Sequence, residues 1–347
     1  MDMAVMQKIV DSLSVKELLA VKEKIEERLV RNIDFKEFME QIIEQRFAEG
    51  LVCPRCGGKH IKKFGFGSRG NQRYSCKNCG TFIPTTKTVF ANSKIPAGKW
   101  LKYAECMNRK YSLRKSAEIA EVSLKTAFNM RHKILEAIQQ SMGIDELSGV
   151  VEMDETFFAE SFKGNHKKGN PNWKAPRKSG KSRKRGKQVE YRGISHEQVC
   201  VSVAMDRNGA LVTAPACNGR LTIKVLDKLY EGKIEPNSTI CADSHNAYKK
   251  FADGVPAELI QIERGQHKKG IYHINNINSM HSKIKTWIRP FNGVATKYLG
   301  HYMYWFNWCE KNRRVDRTEK GRRLILDSFS STITYTNRCP CSKGILD

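Results

Sequence analysis

The chain has 347 residues, long enough for two or three domains, and carries 61 Lys and Arg against 36 Asp and Glu, a net charge of +25. So large an excess calls for a polyanionic partner, and nucleic acid comes first because neutralising phosphates releases condensed counterions. A membrane is excluded as the partner: no apolar run approaches the ~18–20 residues of a span, mean hydropathy is −0.54, and the start, MDMAVMQKIVDSL, has no basic-then-apolar signal pattern. A cytoplasmic protein is expected, its 11 cysteines thiols or metal ligands.

Residues 1–48 read as a helical segment. Ser14 is placed to cap a run in which Leu18, Leu19, Ile25, Leu29 and Val30 recur near helical spacing, a surface or dimer helix. Residues 49–92 change character. Cys53-Pro-Arg-Cys56 and Cys76-Lys-Asn-Cys79 form two C-x2-C knuckles with nineteen residues between them, room for a short β-ribbon to fold back. Four thiolates at that spacing close a tetrahedral structural zinc site, and Gly57 and Gly80 suit the turns after each knuckle. Lys62, Lys63, Arg69 and Arg73 lie between the knuckles as a basic surface.

Residues 93–146 turn helical again. Ser112–Glu121 and Ser123–Ile138 read as a helix-turn-helix pair with serine N-caps, and Lys125, Thr126, Asn129 and His132 are expected to face outward toward DNA bases. From residue 147 to 330, short β-branched runs (Val150–Val151, Val199–Met205, Ala210–Ala214, Ser238–Ala242, Glu258–Ile262) alternate with helical stretches, and Asn208-Gly209 signals a hairpin. Inside this block, residues 160–190 are a basic insertion. Lys163–Gln188 holds eleven Lys or Arg and no acid, and phosphate contact is expected there, with Lys181, Arg183, Lys184 and Arg185 as the DNA-binding residues. Residues 331–347 form a tail containing Cys339 and Cys341; the remaining cysteines, at 106, 200, 217, 241 and 309, are expected to fill core volume.

Acids at strand ends stand out in so basic a chain. Asp154 follows Val150–Met153 and Asp243 follows Thr239–Ala242. If their strands are neighbours, both carboxylates project from one rim and can share two divalent cations for an in-line phosphoryl displacement. The helical stretch His273–Trp287 is expected to bury a stripe of Ile277, Met280, Ile284 and the following Ile288, and sets Asn278, His281 and Lys285 on one adjoining face. An Asn carbonyl can ligate a hard cation, and Lys285 can hold a phosphate.

Taken together, the cysteine quartet, VEMDET around Asp154, CADSHNAY around Asp243 and HINNINSMHSKIKTWIRPFNG resemble, in that order, zinc-ribbon insertion-sequence transposases with a DDE-class ribonuclease-H-like catalytic domain. The resemblance implies an α/β fold: an N-terminal helix, a four-Cys zinc ribbon, a helix-turn-helix-like segment, then a mixed sheet flanked by helices. It also implies binding of terminal inverted repeats, cleavage dependent on Mg2+ (or Mn2+, two ions), and transfer of 3′ ends into target double-stranded DNA by a homo-oligomer in a prokaryotic nucleoid. Asp154 and Asp243 carry over as the first two catalytic, metal-binding acids. Asn278 stands where Glu is commoner, with Lys285 seven residues on, an Asp-Asp-Asn-Lys set that a subgroup of the family shares. Two other readings remain: a DNA-binding regulator derived from a transposase, and a metal-dependent nuclease without strand transfer. The aromatic run after Thr296 is expected to pack as a helix on the catalytic core.

Overall fold

A computed structural model describes residues 3–31, 35–48, 50–67, 72–91, 93–142, 145–161, 163, 191, 193–263, 265–266 and 268–329. Lys181, Arg183, Lys184, Arg185, Cys339 and Cys341 lie outside these residues. The fold is mixed α/β, with eleven α-helices and two sheets among the described residues, in two compact units. One comprises Met1–Ala137 and Asp316–Thr334; the other comprises Ile138–Val315 and Tyr335–Asp347.

In the first unit the N-terminal segment is three helices, α1 (Met3–Ser12), α2 (Val15–Arg31) and α3 (Phe35–Arg46). The break before α2 is a capping box. Ser14 Oγ accepts from the Glu17 amide at 3.4 Å, and Glu17 Oε2 accepts from the Ser14 amide at 2.9 Å. The ribbon follows as β1 (Ile61–Phe66), β2 (Gln72–Cys76) and β3 (Gly80–Phe82), an antiparallel sheet in that order. Its core is small: Cys53, Tyr74, Cys76 and Phe82, with the Tyr74 and Phe82 rings stacked 5.5 Å apart. So little apolar area cannot hold a ribbon by itself.

Helices α4 (Ala97–Asn108), α5 (Leu113–Ile119) and α6 (Leu124–Met142) come next. Ser112 caps α5 by accepting from the Lys115 amide at 3.3 Å, and Ser123 caps α6 by accepting from the Thr126 amide at 3.1 Å. The buried Arg131 guanidinium donates to Tyr111 O at 2.9 Å, locking α6 to the residues that lead into α5. The last described helix, α11 (Arg317–Phe329), falls in the block expected to be catalytic but packs on α4. Gly321 permits the approach, since a methyl there would run into the Glu105 carboxylate.

The second unit is built on a five-stranded sheet in the order β6-β5-β4-β7-β8. Its strands are β4 (Val150–Ala159), β5 (Gln198–Asp206), β6 (Leu211–Asn218), β7 (Ser238–Asp243) and β8 (Ala257–Ile262). Antiparallel β4-β5-β6 is extended by parallel β7 and β8, the arrangement expected of a ribonuclease-H-like sheet. Asp206 makes the hairpin turn at Gly209: its Oδ1 accepts from the amides of Asn208, Gly209 and Ala210, and Gly209 takes the φ of 108° that the turn requires. Helices α7 (Ile223–Tyr230) and α8 (Asn246–Ala252) contribute Leu226, Tyr230, Tyr248 and Phe251 to the main core. Helices α9 (Asn275–Ile288) and α10 (Leu299–Lys311) bury a cluster of rings, with Trp287 and Trp305 edge to face at 5.1 Å. Trp305, Phe306 and Trp308 are buried, and Asn307 ties α10 to β6 by accepting from Thr213 at 2.8 Å.

Candidate active site and cysteine cluster

Strand β4 does not stop at Asp154. Its residues stay paired with β5 as far as Ala159, so Asp154 sits in mid-strand, a correction to its expected place at a strand end. What ends there is the parallel partner. Val150 to Met153 pair with Thr239 to Ala242, so the next residues along the two strands are Asp154 and Asp243, the last residue of β7. The two acids therefore emerge side by side where β4 loses its neighbour on one edge.

Asp154 Oδ1 accepts from the Glu155 amide at 2.9 Å, and its side chain is 18% exposed. Burial pushes its carboxyl up to about 7; the amide bond opposes this, while the charges of Glu155 and Asp243 add to it. Burial also raises Glu155, to about 6, again with help from Asp243 and partly offset by a 2.9 Å bond from the Tyr248 hydroxyl. Asp243 Oδ1 accepts from the His245 amide at 3.0 Å. Carboxylates gathered here, Asp154 and Glu155 among them raised chiefly by burial, suit a hard divalent cation, which would neutralise their charge.

Helix α9 packs against β4 and β5. It buries Ile277, Met280, Ile284 and Trp287, and sets His281 Nδ1 3.8 Å from Asp154 Oδ2. Burial, and then the charge of Lys285, lower His281 to about 4, so its imidazole is neutral. Asn278, one turn before His281, and Lys285, one turn after it, are both exposed. One residue of the helix mount was not foreseen. Glu152, two positions before Asp154 on the same strand, is 1% exposed and accepts from Asn276 Nδ2 at 2.8 Å and from the Ile277 amide at 3.1 Å.

In the ribbon, the sulfurs of Cys53, Cys56, Cys76 and Cys79 all lie within 4.8 Å of one another. Cys53 to Cys79 is 3.3 Å and Cys56 to Cys76 is 3.6 Å. A tetrahedron with ~2.3 Å metal–sulfur bonds has edges of about 3.8 Å, so the cluster is the right size to hold a metal ion. The hydrogen bond from Cys53, with burial, pushes the Cys79 thiol up to about 12. Gly57 and Gly80 take the left-handed φ values of 72° and 88° at the knuckles.

Residues 146–311 match the family model described as the ISXO2-like transposase domain. That segment is similar to the ISXO2-like transposase domain. It spans every strand of the five-stranded sheet and helices α7 to α10. The chain is also 26% identical over 295 residues to an uncharacterized protein in transposable element ISH50 of Halobacterium salinarum, covering 82% of this chain and 91% of that protein. Two solved structures, the Mos1 strand transfer complex and a pre-cleavage Mos1 transpososome, align over 67% of this chain and 78% of theirs. Their identities are 11% and 8% and their TM-scores 0.20 and 0.18, too low to match any residue of one chain to the other.

Outside residues 146–311, the helix-turn-helix surface is narrower than expected. Lys125 is exposed, and Thr126 and Asn129 are half-buried. His132 is 1% exposed, its ring 4.4 Å from that of Phe128, so it faces inward and cannot reach a base; this corrects its expected outward role. The basic insertion is described only at its root, where Lys163 Nζ donates to the Asn292 and Gly293 carbonyls at 3.0 Å. Among the described residues no helix is long and apolar enough to cross a membrane.

Proposed function

We propose that the protein binds the terminal inverted repeats of its own element, cleaves there with Mg2+ or Mn2+, and transfers the 3′ ends into target DNA. The observation that carries this reading is the in-register placement of Asp154 and Asp243 on adjacent parallel strands, beneath a helix bearing Asn278 and Lys285. In this reading Asp154, Asp243 and the Asn278 carbonyl hold the cations, which when bound would activate a water or 3′-hydroxyl and stabilise the leaving oxygen. Asp154 and Asp243 would hold the cations where β4 continues past the end of β7, and the cations would orient the reacting phosphate. Lys285 contacts a phosphate oxygen and offsets its developing charge. Neutral His281 packs beside Asp154 and limits its exposure to water, which strengthens every charge interaction there.

The four-cysteine cluster takes structural zinc and so holds the ribbon's basic strand, Lys62 and Lys63, toward DNA phosphate. Lys125, Thr126 and Asn129 read bases, and Lys181, Arg183, Lys184 and Arg185 grip the backbone. The N-terminal helices serve self-association. Residues 1–48 carry eight Lys or Arg and ten Asp or Glu, a net charge of −2 in a chain of +25, which disfavours DNA as their partner. Yet Met3, Val15, Leu19 and Ile25 are more than half exposed, an apolar surface that suits a second copy.

The test is mobility shift and nicking on DNA taken from the borders of the encoding locus. Mg2+-dependent nicking at the element ends by the wild type, absent in Asp154→Ala and Asp243→Ala, is the expected outcome. Sequence-specific binding with no cleavage in any divalent metal is the result a regulator would give.

A further inference from the structure

We infer that Glu152 is a positioning residue for the metal site: its buried carboxylate caps helix α9 from the neighbouring strand and so fixes Asn278 and Lys285 relative to Asp154. The inference rests on the metal-site reading above. The N-cap residue of helix α9, Ile274, makes no side-chain cap bond; His273 Nδ1 accepts from the Asn275 amide at 3.4 Å, and the Ile277 amide needs an acceptor from outside the helix. Glu152 supplies it. Oε2 accepts from the Ile277 amide at 3.1 Å, and Oε1 accepts from the Asn276 side chain at 2.8 Å with His273 Nδ1 3.4 Å away. An anion at a helix N-terminus is favoured by the aligned peptide dipoles, and the charge-assisted bonds are short and directional.

The sequence spacing makes this bond more than a local cap. Ile277 immediately precedes Asn278, and Glu152 stands two residues before Asp154, on the same face of β4. One carboxylate therefore joins the strand that carries the first aspartate to the turn of helix that carries Asn278. The apolar stripe of α9, Ile277, Met280, Ile284 and Trp287, docks the helix, and the directional bonds from Glu152 tie its first turn to β4. Partners of this kind, which orient the groups that ligate a metal, typically carry 10–100-fold of affinity.

Two conservative variants separate reach from charge. Glu152→Gln keeps the length and an acceptor oxygen but removes the charge; Glu152→Asp keeps the charge but falls one methylene short of the Ile277 amide. Mn2+ affinity of the full zinc-loaded chain, read without DNA by electron paramagnetic resonance, should fall about tenfold in Glu152→Asp and less in Glu152→Gln. Affinity for border DNA without divalent cation should be unchanged in both. The reverse order, Glu152→Gln weaker than Glu152→Asp, would mean that only the charge matters and would overturn the inference, as would wild-type affinity in both. If either variant melts early, Asn276→Ala decides, because it removes one partner of Glu152 and leaves the carboxylate in place. Weaker Mn2+ binding there supports positioning, and unchanged binding overturns it. Asp154→Ala run in parallel tests the underlying reading: wild-type Mn2+ affinity in that variant sinks the metal site itself.

Discussion

Replacing Asp154 by Asn should stabilise the protein, and increasingly so as pH rises. The folded chain holds this carboxyl at about 7 against an ordinary value of 3.8, because burial disfavours the charged form. An acid raised in this way favours folding in its protonated form. Its cost is absent below the unfolded value, grows as pH climbs, and is complete above the folded value. A shift of about three units corresponds to about 4 kcal/mol above pH 7, with roughly 1.5 kcal/mol already present at pH 5. The advantage of Asp154→Asn should therefore widen by about 2–3 kcal/mol between pH 5 and pH 8, or roughly 5–10 °C in Tm for a unit of this size. Thermal melts of the full zinc-loaded chain without other divalent cations would measure it. Glu155 is raised by burial independently of Asp154, so some pH dependence should survive in the variant. A difference that is flat across pH, or that shrinks as pH rises, would refute a buried Asp154. Added Mg2+ should raise the wild-type Tm and leave the variant's unmoved.

Three further outcomes follow from other parts of the fold. Glu105 on α4 is also raised, to about 7, by burial beneath α11, so amide protection in α11 should fall as pH rises from 5 to 8; Glu105→Gln should abolish that trend, and Gly321→Ala should unseat α11 at every pH at a cost of about 1–3 kcal/mol. Cys53→Ser, or removal of the metal by a chelator, should lower zinc from one per chain to none by elemental analysis and abolish border-DNA binding, while exchange protection of strands β4 to β8 stays at the wild-type level. Deleting residues 3–31 should convert an oligomer to a monomer in light scattering, and an unchanged mass would remove the N-terminal helices from the interface.

The parts of this fold that sequence reveals are those set by spacing along the chain. Two C-x2-C knuckles announce four gathered sulfurs, and the β-branched run before Asp243 marks its strand and where it ends. Other features depend on contacts between distant segments. The continuation of β4 through Asp-Glu-Thr was hidden because acids are poor strand formers, and pairing with β5 overrides that preference. Helix α8, seven residues long, is too short for periodicity to declare. His132 lies at a spacing that could face either way, and the Phe128 ring decides it. Glu152 read as an ordinary strand residue, since its partners lie more than 120 positions away. Gly321 gave no hint of the close passage between α11 and α4.

The central claim is that Asp154 and Asp243 hold cations that drive phosphoryl transfer at the element's ends. Its most direct test is a joining assay in which labelled duplex carrying the border sequence is incubated with plasmid DNA, purified protein and Mg2+. The account predicts a covalent product joining the labelled 3′ end to plasmid, lost in Asp154→Ala and in Asp243→Ala while duplex binding persists. Joined product of wild-type yield from either variant would contradict it.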